Sequence, residues 1–418
     1  MWIGIDDTDS SRGMCTTYLA ALLAARLEDS AIEIQKLRLV RLNPNVVWKT
    51  RGNAAIAIQA EGDVDVAFAL AADTIHELAD LACEETNPGL VVSTDLRPPS
   101  WFAEKAITGF CTVEEAIAVC EDVSARYTGW KNKRGLIGAT AAIAAIFMDS
   151  TSEILVYRSR DRCGSERQVD QKSLYRADEA TVPHTWDTVD RENQVIVCIP
   201  HTPDPVLFGI RGEDPVWVSL ARNMVRSELA EREAVFETNQ GTDAHLLLGS
   251  IGFLEEGRSY IVFGVVAQLP VTGEGGHVSV RITDSNHFLT CMAFEPTKGF
   301  RDIIRALMPG DRVAACGSYK RNALNLEKLQ VITADPIRIK KPPICIDCDK
   351  RMTSAGAGKG YKCRLCNARS NTPSLYTVER SITPGWYEPP PSARRHLARP
   401  LCRGPPSLVM IHPRVVPD

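Results

Sequence analysis

No stretch of this sequence is apolar enough for long enough to cross a bilayer as a helix. The longest uncharged run, Ser259–Gly273, holds 15 residues and includes a Gln and a Pro, where a span needs about 20. A basic-then-apolar leader is also missing, because Asp6, Asp7 and Asp9 sit where one would be. No secretion signal is expected, and the expected compartment is the cytoplasm. Internal repeats and a GxxxxGK[ST] phosphate loop are absent, which excludes a solenoid and a P-loop NTPase. A large net charge is absent too: 48 Lys+Arg against 52 Asp+Glu leave −4. Neutral balance by itself argues neither for nor against a nucleic-acid partner.

What is present is a folded composition, 44% hydrophobic and 24% charged. It excludes a mostly disordered, collagen-like or coiled-coil chain, and 418 residues make two to four domains the expectation. Charge is unevenly placed. Arg338–Asp418 carries 15 Lys+Arg and 5 Asp+Glu, so the remaining chain is at −14. A basic end on an acidic body suggests that a polyanion docks at the C-terminal end. Of 13 cysteines, nine are scattered and fit free thiols in a reducing compartment.

Periodicity divides the chain into four folded segments and a tail. Residues 1–123 read as α/β: a short strand at Trp2–Ile5, a helix with Leu19, Leu22, Leu23 and Leu27 on one face, then further strands and a helix. Residues 124–239 begin with a helix near Leu136–Phe147 and continue with strands and a second helix, in a ferredoxin-like α+β order. The polar insert Asp161–Arg191 is expected to be loop-rich. Residues 243–337 read as five strands with a helix, Gly299–Leu307, before the fourth. That is the order of an OB-fold β-barrel, a small barrel that often binds single-stranded nucleic acid. Residues 340–370 hold the clustered cysteines, and 371–418 form a Pro-rich basic tail. The fold class is therefore multidomain α/β and α+β with a barrel and a zinc ribbon.

Cys345-Ile-Asp-Cys348 and Cys363-Arg-Leu-Cys366 are two CxxC knuckles fourteen residues apart, the spacing of tetrahedral zinc. With all four ligand positions supplied by protein, the zinc is structural. Lys359 and Lys362 are among the cations around it that can grip phosphates. Gly4-Ile5-Asp6-Asp7-Thr8-Asp9 leads to Gly13-Met14-Cys15-Thr16-Thr17. Carboxylates at the end of a first strand can hold Mg²⁺, and Thr16 and Thr17 fall where a helix N-terminus favours phosphate. A threonine-capped acidic turn is the bland alternative. Lys49, Arg51, Gly52 and Asn53 form a basic turn that can face those carboxylates across a cleft, and Trp130–Gly135 is a second such turn. Asp204, in a Pro-stiffened turn, and Glu213, with Arg211 between them, suit a cationic small molecule. Lys298 and Arg301 on the barrel, with Trp386, Tyr387, Arg394 and Arg395 in the tail, mix aromatics and cations as single-stranded RNA binding does.

Taken in one order, these motifs resemble the archaeal tRNA(Ile) 2-agmatinylcytidine synthetase family. The resemblance covers nearly the whole chain. It includes Arg41-Leu42-Asn43-Pro44-Asn45-Val46, Thr86-Asn87-Pro88-Gly89, Lys133–Gly138 and Tyr387–Leu397. It implies a kinase-like ATP-binding domain, a ferredoxin-like domain, an OB-fold domain and a zinc ribbon. It also implies ATP-dependent attachment of agmatine to C2 of the wobble cytidine of the CAU-anticodon isoleucine tRNA, with AMP and phosphates released. On this resemblance Asp6, Asp7, Asp9, Thr16 and Thr17 are the catalytic candidates, one threonine becomes phosphorylated, with Thr17 favoured, and Asp204, Arg211 and Glu213 meet agmatine. Two other readings stay open: a non-catalytic single-stranded nucleic-acid-binding protein, and a ligase for another amine such as lysine. The stretch from Pro400 onward carries no expected function and is expected to be an irregular extension.

Overall fold

In the computed structural model, which describes residues 1–49, 52–94 and 96–406, the first half of the chain builds one nine-stranded sheet. Its strands are β1 (Trp2–Asp6), β2 (Glu33–Arg41), β3 (Ala54–Glu61), β4 (Gly89–Ser93), β5 (Arg126–Gly129), β6 (Thr151–Tyr157), β7 (Thr185–Trp186), β8 (Val206–Gly212) and β9 (Arg232–Thr238). Their order is β5-β4-β1-β3-β2-β9-β6-β8-β7. Each half of the sheet is antiparallel within itself. The halves meet at β2 and β9, which run parallel over Arg38↔Glu237 and Leu39↔Thr238.

Strand alternation explains how both faces are covered. On β3, Ile56 and Ile58 pack under α1 (Thr16–Asp29) and α2 (Val64–Leu78). Ala55 and Ala57 face the opposite way, toward α3 (Ser100–Thr108), α4 (Val113–Asp122) and α5 (Gly135–Ala144). The expected α1 stripe is present: Leu19, Leu23 and Leu27 are fully buried. In the second half, α6 (Gln171–Thr181) and α7 (Pro215–Met224) cover Ile154, Val156 and Ile210.

Helix α5 is apolar on every side, which suits a helix buried all round. It lies against the sheet through glycines. A Cβ on Gly4 would stand 2.2 Å from the Ala139 carbonyl oxygen, one on Gly89 2.1 Å from the Leu136 nitrogen, and one on Gly138 1.9 Å from Asp6 Oδ2. The sequence division at 123/124 therefore cuts through a packed unit. Strand β5 pairs with β4, and α5 packs on β1 and β4 of the first half. Periodicity marks α5 as a helix but does not say which sheet it covers. The insert read as loop-rich contains α6, whose first turn is capped by Asp170.

The next segment is a closed five-stranded barrel of β10 (Ser259–Val266), β11 (Val278–Thr283), β12 (Phe288–Ala293), β13 (Arg312–Lys320) and β14 (Ala323–Thr333). Neighbours run β10-β11-β12-β14-β13 and back to β10, with β12 and β14 parallel. A short helix, α8 (Phe300–Arg305), precedes the fourth strand, as expected from the sequence. A three-stranded ribbon of Thr353–Ser354, Tyr361–Lys362 and Arg369–Ser370 carries the cysteine cluster. No described helix is long and apolar enough to cross a membrane.

The tail differs most from expectation. Gly385–Tyr387 adds a strand to β14, and residues 388–406 then run back over the barrel and the second half of the sheet. Gly241 N–H donates to the His396 carbonyl and Asp243 N–H to the Leu397 carbonyl, both at 2.8 Å. Arg403, 4% exposed in its side chain, pairs with Glu213 at 2.7 Å and Asp149 at 3.0 Å. The stretch 400–406 is thus an ordered strap rather than an irregular extension, and residues 407–418 lie outside the described residues.

Candidate active cleft

Strand β1 ends in the three aspartates, and the chain then turns into α1. Asp9 faces α1: its Oδ1 accepts the Thr16 N–H at 2.6 Å and the Thr16 hydroxyl at 2.7 Å. Thr8 Oγ1 donates to Thr16 Oγ1 at 3.0 Å, so the Thr16 hydroxyl is oriented from both sides. Thr17 is placed differently, its Oγ1 lying 3.1 Å from Cys15 Sγ. Asp7, with φ of 58°, is held by Arg134, whose Nε and Nη2 donate to its two oxygens at 2.8 and 3.0 Å. Asp6 sits under Gly138, where a side chain would collide with it.

Burial raises the Asp6 carboxyl well above its usual range, and Asp7 and Asp9 add to the rise. Burial likewise lifts Asp7 to about 7 against the pull of Arg134. Crowded carboxylates in a low-dielectric site favour a cation or a proton. They do not, however, form one three-carboxylate cage. Among the described residues, the only convergent group of three or more metal-type ligands is the cysteine cluster. Asp9 is turned away because it serves the first turn of α1.

The motif Thr86–Gly89 fastens this loop. Thr86 Oγ1 donates to the Asp9 carbonyl at 2.6 Å, and Asn87 N–H to the Asp7 carbonyl at 3.1 Å. The Asn87 carbonyl in turn accepts the Gly135 N–H at 2.9 Å, which brings the start of α5 to the acidic loop. Across the cleft, Asn43 Nδ2 donates to the carbonyls of Gly109 and Gly257, and Asn45 Nδ2 to Ser259 Oγ. The Arg41–Val46 motif thus clamps the first sheet half to the barrel.

Two cavities open here. The smaller, about 210 Å³, is lined by Asp6, Asp7, Asp9, Thr16 and Arg134. The larger, about 1030 Å³, extends over β6 and β8 to the barrel and the tail. Asp9, Thr16, Lys49, Gly52 and Asn53 line both, so the cavities adjoin across that wall. Thr17 lines only the larger one. Arg51 lies outside the described residues.

The floor of the larger cavity is β6 and β8. Glu153 pairs with Arg211 at 3.2 Å and accepts from Gln240 Nε2 at 2.6 Å. Gly209 beside them leaves room that a side chain would fill, 2.6 Å from Leu155 Cδ2. Asp204, 2% exposed, is at the cavity edge, where its carboxylate accepts the Val206 N–H at 2.9 Å and the Thr202 hydroxyl. Arg41 is half-buried here, and the desolvation of its guanidinium lowers it to about 10 despite Glu153. The Arg41 guanidinium, with Arg211 and Lys49, pushes the His396 imidazole well below the ordinary histidine range.

Several expected residues fall elsewhere. Glu213 does not line the cavity; it sits past the far end of β8 and is paired with Arg403. Arg394 is 7% exposed in its side chain and pairs with Asp187 and Glu388, so it is not a free RNA ligand. Trp386 and Tyr387 pack on the barrel, and Tyr387 Oη donates to the Thr383 carbonyl at 2.8 Å. Arg395 lines the larger cavity. Lys298 and Arg301 lie near Glu295 at 3.5 Å, and Lys359 and Lys362 are on the ribbon. Sequence reasoning carried Arg134 only as part of the basic turn Trp130–Gly135, and it missed Arg41, Glu153 and His396 as site residues. The one signal for Glu153 is a lone carboxylate in the strand Thr151–Tyr157, which is buried at every position. The cysteines do converge: the Sγ atoms of Cys345, Cys348, Cys363 and Cys366 lie within 4.8 Å of one another, a soft four-sulfur set that fits zinc.

The fold and this site define a multidomain α/β protein with a composite cleft shared by a sheet, a barrel and a returning tail. Family models match in the same order: the TiaS TCKD domain over residues 2–132, the TiaS FLD domain over 133–245 and the TiaS C-terminal zinc ribbon domain over 342–382. The tRNA(Ile) 2-agmatinylcytidine synthetase TiaS of Methanocorpusculum labreanum is 45% identical, covering 96% of this chain and 97% of that one. Its namesake in Methanosarcina acetivorans is also 45% identical, over 99% of this chain and 100% of its own. Solved structures agree. Apo TiaS, an isoleucine-tRNA agmatidine synthetase, superposes with a TM-score of 0.90 at 44% identity, covering 96% of this chain and 97% of that one. A complex of TiaS with isoleucine tRNA, AMPCPP and agmatine gives 0.85 at 41%, covering 96% of each chain. The chain belongs to the tRNA(Ile) 2-agmatinylcytidine synthetase (TiaS) family.

Proposed function

We propose that this chain uses ATP to attach agmatine to C2 of the wobble cytidine of the CAU-anticodon isoleucine tRNA. The observation that carries the reading is Thr16. In a chain alike to the family along its length, that hydroxyl bonds to Asp9 and stands on the wall shared by both cavities. The smaller cavity suits the polyphosphate end of ATP, and the larger has room for a nucleotide turned out of its stack together with an amine.

The first 132 residues act as the kinase-like unit, the second half of the sheet as the ferredoxin-like unit, and the barrel as an OB-fold. Phosphorylating the cytidine C2 oxygen turns a poor leaving group into a good one. The agmatine amine then forms the C–N bond, the C–O bond breaks, and the amine proton is lost. Asp6 and Asp7 would hold Mg²⁺, which commonly takes one or two carboxylates plus substrate phosphates. Bound there, the ion would neutralise phosphate charge. Arg134 keeps Asp7 in place at that site. Asp9 orients and polarises the Thr16 hydroxyl, so Thr16 rather than Thr17 is the better-supported phosphate acceptor. Asp204 and Arg211 remain the candidates for agmatine, with Glu153 replacing Glu213 as the second carboxylate. Lys49, Gly52 and Asn53 border the ATP side; Lys298, Arg301, Lys359 and Lys362 offer surface charge to RNA. Zinc on the four cysteines would hold the ribbon together. Such an enzyme works in the cytoplasm.

The test is incubation with ATP, Mg²⁺, labelled agmatine and a CAU-anticodon isoleucine tRNA transcript, followed by mass analysis of the nucleosides. Agmatine on the wobble cytidine is expected. No adduct, with tRNA still bound, would overturn the reading, and a lysine adduct would replace it with the other ligase.

A further inference from the structure

We propose that Lys49, Lys320 and Arg395 form a seat for phosphodiester groups of the RNA strand that enters the larger cavity. The proposal rests on the tRNA-modifying reading above. The three residues come from the loop before β3, the end of β13 and the tail; all line the larger cavity, and Lys49 and Arg395 bond to the adjacent residues Pro44 and Asn45. The cavity lining carries six Lys or Arg side chains, of which Arg211, Arg394 and Arg395 are ion-paired, against three carboxylates. Each of those carboxylates is already engaged, Asp9 by Thr16, Glu153 by Arg211 and Asp204 by the Val206 N–H.

Like charges held together in a partly desolvated wall repel, and an anion between them relieves the repulsion. Burial lowers the Lys49 ammonium, and the neighbouring Arg395 and Lys320 lower it further. Its hydrogen bond goes to the Pro44 carbonyl, a neutral group. Among the described residues, the lysines that pair with carboxylates are Lys36, Lys105, Lys298 and Lys328, so Lys49 and Lys320 are without such partners. Arg395 is fixed in the wall by Ser318 Oγ at 2.8 Å and Glu327 at 3.2 Å. The tail bonds to Gly241 and Asp243 keep that wall in place. A seat assembled from three separate segments, next to a cavity sized for a nucleotide, matches the phosphates that flank a base turned inward.

Nucleotide polyphosphate shares this chemistry, so the test has two arms on the full chain. Lys320 is exposed at a strand end, and its removal disturbs no packing. Lys320→Ala is compared with wild type for tRNA affinity against salt without ATP, and for ATP affinity without tRNA. Affinity for tRNA is expected to fall about fivefold at low salt, with the log–log salt slope shallower by about 0.7, one single-strand phosphate contact. Lys172→Ala, an exposed lysine on α6, is expected to change neither. A tRNA carrying a neutral methylphosphonate beside the wobble nucleotide is expected to remove the difference between wild type and Lys320→Ala. An unchanged slope, a fall in ATP affinity alone, or losses from Lys320→Ala and the methylphosphonate that simply multiply would each overturn the proposal. These outcomes in a protein that still adds agmatine would leave the proposed function standing.

Discussion

Lys328→Met gives a quantitative test of how the tail is held. Lys328 is 1% exposed in its side chain and Asp243 4%, and the ammonium meets both Asp243 oxygens at 2.7 Å. The ammonium also donates to the Arg399 carbonyl at 2.7 Å, while Arg399 N–H donates to Asp243 Oδ1 at 2.8 Å. The pair therefore joins the barrel, the sheet–barrel connection and the tail at one point. Methionine fills the volume but leaves Asp243 as a buried, uncompensated charge, which costs about 3–5 kcal/mol. Opening the tail rehydrates that carboxylate, so the variant shifts the opening equilibrium by about 3 kcal/mol. At about 1.4 kcal/mol per decade, that is about a hundredfold. Trypsin cleavage after Arg403, in the same strap and followed by Gly404, requires that opening and reports its population when reclosing outpaces cleavage. Cleavage of Lys328→Met is expected to be about a hundredfold faster than wild type, and Asp243→Asn in the same chain is expected to restore most of the protection. Cleavage within about fivefold of wild type would show that the pair does not hold the strap, and the account of the tail would fail.

Acid is expected to loosen the same region. Burial raises the Glu327 carboxyl, but Arg395 and His245 outweigh it and hold it at about 2, below its ordinary 4.5. That stability, about 3 kcal/mol, is complete above pH 4.5 and is lost as pH falls toward 2. Pepsin cleavage across that window, normalised at each pH to cleavage of an unfolded substrate, is expected to rise steeply in wild type and to be nearly flat for Glu327→Gln. Asp204→Asn is expected to raise the KM for agmatine at least tenfold, whereas Glu213→Gln changes it less than twofold; the reverse pattern in labelled-agmatine kinetics would return Glu213 to the site. Cys348→Ser is expected to lower bound zinc measured by atomic emission and to weaken tRNA affinity with little effect on ATP binding. Zinc stoichiometry equal to wild type would remove the ribbon assignment.

Local patterns are readable in the sequence because they depend on near neighbours. The α1 stripe, the β3 alternation and the two CxxC knuckles each declare a period or a spacing. The barrel is readable from its strand order with α8 before the fourth strand. Helix α4 is declared only by the capping box of Thr112 and Glu115, and its apolar face is too short to stand out as a period. The site is half readable. Asp7 and Thr16 follow directly from strand end and helix start. Arg134 does not, because it reaches Asp7 only through the close approach of α5 to β1, which Gly4, Gly89 and Gly138 permit.

Charge composition by segment does not say whether opposite excesses meet each other or face water, and the C-terminal region does both. A basic C-terminal stretch reads as an electrostatic surface only if its cations face water. Here Arg380 pairs with Asp311, Arg394 with Asp187, Arg399 with Asp149, and Arg403 with Asp149 and Glu213. Part of the negative excess of the body is thus the partner of the strap's positive charge, while the ribbon cations such as Lys350, Lys359, Arg364 and Arg369 stay exposed. Net charge by segment fixes only that opposite excesses exist; whether they meet each other or an outside polyanion is decided by where the chain runs. In this chain the strap neutralises itself against the sheet and the barrel and commits Arg395 to the cavity wall beside Lys49 and Lys320. The strap thereby places Arg395 in the cleft, while the ribbon keeps its cations on the C-terminal surface. Under the proposed function, the same contacts that fasten the tail also place Arg395 where an entering RNA strand would meet it.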